Sequence, residues 1–216
     1  MNKVHRGAEI ESMITSSHNC SSTKFDLSTF LCSEFEEHRA CLDATARGLV
    51  GGFGRVLDIW EIAVRRGGKL MFFGNGGSAS DAQHIAAEFV VRYKSNRAAI
   101  AALALATDTS ALTACANDLG FERVFARQIE ALARPGDVAI GISTSGKSPN
   151  VLAGLLEARK AAVATVGFSG AEGGAMKSLC DEVILVPSAV TARIQEMHIL
   201  LGHMLCKALE IRLGIT

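Results

Sequence analysis

The pattern of the chain changes after Gly67-Gly68, and this change most restricts what it can fold into. From there, short and nearly continuous apolar runs alternate with longer stretches of helical periodicity. The runs are Lys69–Phe73, Ala98–Leu105, Asp137–Ile142, Ala162–Phe168 and Glu182–Val186. Between and after them lie helical patterns near Ala79–Tyr93, Ser110–Ala116, Phe121–Ala133, Pro149–Lys160, Gly173–Leu179 and Arg193–Leu213. Apolar runs without a polar alternate residue belong to strands covered on both faces, as in parallel sheets. Strand–helix alternation with such strands predicts an α/β, three-layer structure: a five-stranded parallel sheet flanked by helices. Ligands are then expected beyond the carboxyl ends of the strands.

The segment before this change is helical from about Leu27 to Arg66, with apolar positions including Phe30, Phe35, Leu42, Leu49, Val56 and Trp60. Gly51, Gly52 and Gly54 are expected to interrupt it, giving an N-terminal helical hairpin. Residues 1–25 are polar, Ser-rich and aperiodic and read as a flexible tail. Residues 26–216 read as one domain, since 216 residues with 49% hydrophobic content suffice for a single full core.

Composition removes several function classes. The chain carries 22 Lys+Arg against 22 Asp+Glu, whereas a protein relying on phosphate-backbone affinity is normally basic. Cys20, Cys32, Cys41, Cys115, Cys180 and Cys206 form no CxxC pair, so a zinc ribbon or thioredoxin-like centre has no support. The first residues lack an apolar signal-peptide core, and the most apolar run, Ala98–Ala106, is too short for a bilayer. These features read as a cytoplasmic protein with reduced thiols and no membrane or nucleic-acid partner.

Two loops leave the predicted strands with chemistry in them. The first is Gly74-Asn75-Gly76-Gly77-Ser78-Ala79-Ser80-Asp81. Its glycines let backbone amides approach a ligand, and Ser78 with Asp81 reads as a capping box for the next helix. A glycine-rich turn feeding a helix N-terminus suits an anion; a tight turn without a ligand is the alternative. It is not a dinucleotide fingerprint, because Ala79 stands where G-x-G-x-x-G needs glycine. The second loop, Gly141-Ile142-Ser143-Thr144-Ser145-Gly146-Lys147-Ser148, carries four hydroxyls able to satisfy phosphate oxygens. It also matches the P-loop pattern G-x-x-x-x-G-K-[ST]. Pro149 argues against that reading. It pushes Ser148 out of the α region and itself suits the first helical position, leaving Ser148 as a cap.

His84 and Glu88 are four residues apart on the helix after the first loop, hence one turn apart on one face. Such a pair can hold a metal or act as acid and base; spacing alone favours an incidental pair on a capped, partly exposed helix. On the last helix, helical arithmetic places Glu196 and His203 nearly in line and sets Gln195 off by about 80°. Spacing therefore nominates Glu196 over Gln195. His198 reads as a core or supporting histidine.

Four blocks together resemble the sugar isomerase (SIS) domain family, in its phosphoheptose isomerase branch. They are GNGGSASDAQHIAAE (Gly74–Glu88), TDTSALTACANDLGFERVFARQIEAL (Thr107–Leu132), GDVAIGISTSGKSPNVL (Gly136–Leu152) and RIQEMHILLGH (Arg193–His203). The likeness runs from about Phe30 to Leu213. It implies an aldose–ketose isomerase that converts sedoheptulose 7-phosphate to D-glycero-D-manno-heptose 7-phosphate through an enediol, the first step towards nucleotide-activated heptose. By the same resemblance, Glu88 and His203 are the catalytic acid–base pair, and His84, Glu88, Gln195 and His203 hold one Zn2+ per subunit. Substrate falls to Asn75, Gly76, Gly77, Glu88, Asn117, Asp118, Ser143, Thr144, Ser145, Ser148 and Gln195. The family's assembly is a homotetramer with active sites shared between subunits. Without the resemblance, Asn117-Asp118 reads as an N-cap. The alternative from another class is a non-catalytic SIS regulator that binds the replication initiator DnaA and lacks the acid–base pair. The chain departs from the family at Lys147, commonly Asn, and at Ala192, an Asp in some members.

Overall fold

The structure, a computed structural model, describes residues 25–215; the tail expected over residues 1–25 lies almost wholly outside them. The chain divides into a segment ending at Phe35 and a compact unit from Glu36 onward. Helix α1 (Leu27–Gly48) opens at Asp26, whose carboxylate accepts from the Ser28 amide and the Thr29 hydroxyl. Helix α2 (Val50–Arg65) follows after Leu49 alone. The two expected helices are present, but Gly51, Gly52 and Gly54 do not interrupt them. Leu49 keeps right-handed helical angles and its carbonyl accepts from Phe53, so the glycines are carried inside α2.

Beyond α2 the order is β1 (Leu70–Gly74), α3 (Gly77–Val90), β2 (Ala102–Ala104), α4 (Thr109–Leu119), α5 (Ala126–Leu132), β3 (Val138–Ile142), α6 (Pro149–Lys160), β4 (Ala164–Gly170), α7 (Met176–Leu179), β5 (Glu182–Val186) and α8 (Thr191–Leu213). All strand pairs are parallel, in the order β2-β1-β3-β4-β5. The apolar run Ala98–Leu105 yields a strand of only three residues. It lies at the sheet edge, where β1 alone offers a ladder.

Every residue of β1 and β3 is buried, which explains their unbroken apolar sequence. Alternate side chains serve opposite faces, as the strand period requires. Leu70, Phe72, Val138, Ile140, Val166 and Phe168 join a core shared with α2, α3 and α8. Met71, Phe73 and Ala139 join a second core with α4 to α7. In the first core, Trp60 meets Phe72 and Phe89 edge-on at 5.6 Å, and the two phenyl rings stack at 6.1 Å. This aromatic trio ties α2, β1 and α3 into one block. Phe72→Ala should cost about 3–5 kcal/mol of stability from lost burial and an unfilled cavity. Chemical denaturation followed by the fluorescence of Trp60, the chain's single tryptophan, would measure it. A loss below about 1 kcal/mol would mean the trio does not hold the layers together.

Candidate active site

The sheet order brings the exits of β1 and β3 together. From β1 the chain first adds β2 on one side, then returns to place β3 on the other, so the β1/β3 boundary is a topological switch point. Gly74 stands opposite Ile142 in register, and a Cβ there would come within 2.7 Å of the Ile142 carbonyl oxygen. Glycine at 74 therefore permits this approach. Gly76, at φ 55°, makes the turn, and α3 starts at Gly77. The Ser78–Asp81 capping box does not form. Ser78 is already inside the helix and buried, and Gly76 occupies the cap position. Asp81 keeps a buried carboxylate oxygen without a partner. Burial pushes its pKa up to about 6, against the opposing pull of His84.

At the exit of β3 the hydroxyls converge. Ser143 is buried; its hydroxyl lies 2.9 Å from that of Ser148 and 3.5 Å from that of Ser145. Ser148 is the residue before α6, with Pro149 at the first helical position, as the sequence suggests. Its hydroxyl is turned towards Ser143 instead of capping the helix. Lys147 thus lies outside the helix, and its ammonium pairs with Glu172 at 3.1 Å, which removes the P-loop arrangement. The loop is pinned from behind: a Cβ on Gly146 would meet the Gly173 carbonyl oxygen at 2.1 Å. Beside it opens a cavity of about 200 Å³ whose polar lining includes Thr144, Ser145, Lys147, Ser188 and Thr191.

The two exits are joined by a contact that the sequence did not announce. Asn75 and Asn150 exchange two amide hydrogen bonds, each 2.8 Å. The Asn150 oxygen also accepts from the Val151 amide, whereas Asn75 keeps a further donor and acceptor position, so the pair orders the loops without exhausting Asn75. Gln195, on α8, closes the other side: a Cβ on Gly77 would fall 2.5 Å from its side-chain nitrogen.

Further along the same helices, His84 and Glu88 on α3 meet His203 on α8. The His84 and His203 Nε2 atoms are 3.1 Å apart, and His84 Nε2 lies 3.3 Å from Glu88 Oε1. One ligand atom from each residue falls within 4.8 Å of the others, the one such metal-competent group among the described residues. Tetrahedral zinc with bonds of about 2.0–2.2 Å places its ligand atoms about 3.3–3.5 Å apart. The two separations made by His84 lie near that spacing, and two imidazoles with a carboxylate are a donor set that suits such an ion. Burial pushes the His203 pKa down, reinforced by His84 and opposed by Glu88. The Tyr93 ring stacks on His203 at 5.4 Å.

The cluster exists because α3 and α8 cross closely. Gly202 faces Ile85, and a Cβ on it would lie 2.5 Å from Ile85 Cδ1. The residues beside this contact are His203 and His84. The structure does not bring Gln195 into the cluster within one chain. It abuts Gly77, seven residues and about 10 Å of helix from His84. Glu196, which spacing nominates, is engaged by His38 at 2.7 Å and by Arg193 at 3.1 Å. Asn117 and Asp118 lie exposed in the last turn of α4, bonded to each other at 2.7 Å. The N-cap reading is therefore wrong: that turn ends a helix, and Asp108 is the residue that caps its start. Among the described residues, no hydrogen bond or ion pair joins them to either loop.

His198 is wholly buried under Phe168, with Nε2 3.3 Å from the Ser169 carbonyl. A carbonyl only accepts, so Nε2 carries the proton, and burial lowers the pKa to about 4.

These features define the class: an α/β protein with a glycine exit, a hydroxyl exit and a His–Glu–His group around one end of a parallel sheet. Residues 35–170 match the family model described as the SIS domain. A phosphoheptose isomerase of Paramagnetospirillum magneticum is 57% identical over 182 residues, covering 84% of this chain and 95% of that protein. Solved phosphoheptose isomerases of Neisseria gonorrhoeae and Francisella tularensis superpose with TM-scores of 0.82 and 0.83, at 39% and 30% identity. They cover 86% and 87% of this chain and all of theirs. The chain belongs to the SIS domain family, in its phosphoheptose isomerase branch.

Gly202→Ala should force α8 away from Ile85. Overpacking of this kind costs about 1–3 kcal/mol, and the His84–His203 separation should widen. Denaturation combined with a zinc titration would show both effects; unchanged values in both would mean the crossing tolerates a methyl group. A second expectation concerns acid. The native pKa of His198 lies below the unfolded value near 6.5. Its neutral form therefore stabilises the fold above that pH, and the contribution is lost as pH falls from about 6.5 to about 4. The loss should approach about 3 kcal/mol. Denaturation curves over this interval should be flatter with pH for His198→Gln than for the unaltered chain. Equal slopes would show that the imidazole is not held neutral.

Proposed function

We propose that this chain isomerises sedoheptulose 7-phosphate to D-glycero-D-manno-heptose 7-phosphate, supplying the heptose later activated as a nucleotide sugar for surface polysaccharide such as lipopolysaccharide or capsule. The observation that carries the reading is the meeting of Glu88 with His203 on two helices that also border the glycine exit. The named relatives support it. The DnaA-binding alternative gains no support from them, and this chain keeps the Glu88–His203 pair.

In this reading, the hydroxyls of Ser143, Thr144, Ser145 and Ser148 take the phosphate, with the amides at the start of α3 nearby. Asn75, Gly76 and Gly77 line the sugar's path. One of Glu88 and His203 removes the proton from C1, giving the enediol, and returns a proton to C2. The other moves protons between the two oxygens. A zinc ion held by His84, Glu88 and His203 would polarise the carbonyl. Gln195 is too far from the cluster within one chain, which accords with a homotetramer whose sites are shared and in which Gln195, Asn117 and Asp118 serve a neighbouring protomer's substrate or metal. No described helix is long and apolar enough to cross a membrane, in keeping with a cytoplasmic place for the reaction.

Purified protein incubated with sedoheptulose 7-phosphate should give the aldose by NMR. Glu88→Gln should lower kcat by about 10²–10⁴-fold, and a strong chelator should suppress turnover until zinc is restored. Sedoheptulose without the phosphate should lose kcat as well as affinity, because the remote phosphate serves orientation. Absence of aldose with and without zinc would defeat the reading.

A further inference from the structure

Arg97, between α3 and β2, has a side chain that is only 2% exposed. All three of its guanidinium nitrogens are engaged. Nε donates to Glu210 Oε1 at 2.5 Å, Nη1 to the carbonyls of Phe89 and Ala98 at 3.0 and 2.9 Å, and Nη2 to the carbonyl of Glu88 at 2.8 Å. Glu210 is likewise 2% exposed, and it follows His203 by seven residues, two turns along the same face of α8. Cys206, between them, has its thiol pKa raised by burial and then by the nearby charges of Glu88 and Glu210. Both carboxylates therefore face one buried strip of α8.

Stability alone does not require a charge here. A buried ion pair replaced by apolar groups of similar volume often leaves stability unchanged or raised. What an apolar pair lacks is direction. The last carbonyls of a helix have no intrahelical donor, and the planar guanidinium fork takes two from α3 while its third edge is fixed to α8. One of those carbonyls belongs to Glu88 itself.

We propose that Arg97, anchored by Glu210, is a positioning residue: it fixes the main chain of Glu88 against the helix that carries His203, and so sets the spacing of His84, Glu88 and His203. The kinetic consequence rests on the isomerase reading; the metal-binding consequence does not.

The test compares the full chain with Arg97→Met/Glu210→Met and with Arg97→Lys. Three quantities are read: unfolding midpoint, zinc affinity by chelator competition, and kcat and KM for sedoheptulose 7-phosphate. The double variant should still unfold cooperatively, at a midpoint lowered because the Glu88 and Ala98 carbonyls lose this donor. Its zinc affinity should fall about 10–100-fold, as when a metal ligand's supporting partner is removed. Its kcat should fall by about tenfold or more, with KM within about twofold. Arg97→Lys, which keeps the charge without the fork, should fall between the two. A folded double variant with unaltered zinc affinity and kcat overturns the proposal. If the double variant does not fold, unaltered values in Arg97→Lys overturn it. A chain that binds zinc but leaves the sugar phosphate unchanged would defeat the isomerase reading, while zinc affinity would still decide the role of Arg97.

Discussion

The arrangement depends on one topological constraint, the parallel pairing of β1 with β3 while β2 pairs on the other edge of β1. Successive crossovers in opposite directions leave a crevice at the carboxyl ends of those two strands. Because Gly74 and Ile142 are in register, both strands end at the same level, and the loops that leave them are neighbours. Phosphate-compatible amides and hydroxyls thus come from segments about seventy residues apart. The paired amides of Asn75 and Asn150 fasten the two segments.

The second constraint lies one layer out, where α3 and α8 pack on the same sheet face. Close approach at Gly202 brings three metal-competent groups together. Bare imidazole nitrogens 3.1 Å apart repel unless a proton or a cation lies between them. A neutral Nε2–H of one ring donating to the other satisfies the contact, and so would a cation shared with Glu88. Below the site, His198 is kept neutral by burial near neutral pH.

Much of this was legible in the sequence. The five apolar runs each overlap a strand, β5 with the same bounds, and α6 spans Pro149–Lys160 as its periodicity indicates. Runs buried on both faces leave no alternation to misread. The exclusion of a P-loop also followed from local chemistry, since Pro149 restricts its neighbour wherever the fold places it. Local rules failed where tertiary contacts compete. Ser78 and Asp81 fit a capping box, yet the tight turn at Gly76 starts the helix earlier. Asn117-Asp118 has cap-forming residues, yet it ends a helix. Helical arithmetic favoured Glu196, but His38, distant in sequence, and Arg193, three residues earlier on the same helix, engage it. No spacing argument singles out Asn150, Gly202 or Arg97; each matters through partners whose position only the fold supplies.

By itself, then, the sequence determined the strand–helix alternation, the two ligand-ready strand exits and the residue types available for acid–base and metal chemistry. Those properties are encoded in periods of two to four residues and in the φ preferences of glycine and proline. Only the tertiary structure decided which of those residues meet. It separated Gln195 from the His84–Glu88–His203 group within a chain, and it joined Asn75 to Asn150 and Glu88 to the α8 helix through Arg97. The reason is physical: a contact between remote segments depends on interhelical distance and strand register, which the packing of the whole core sets.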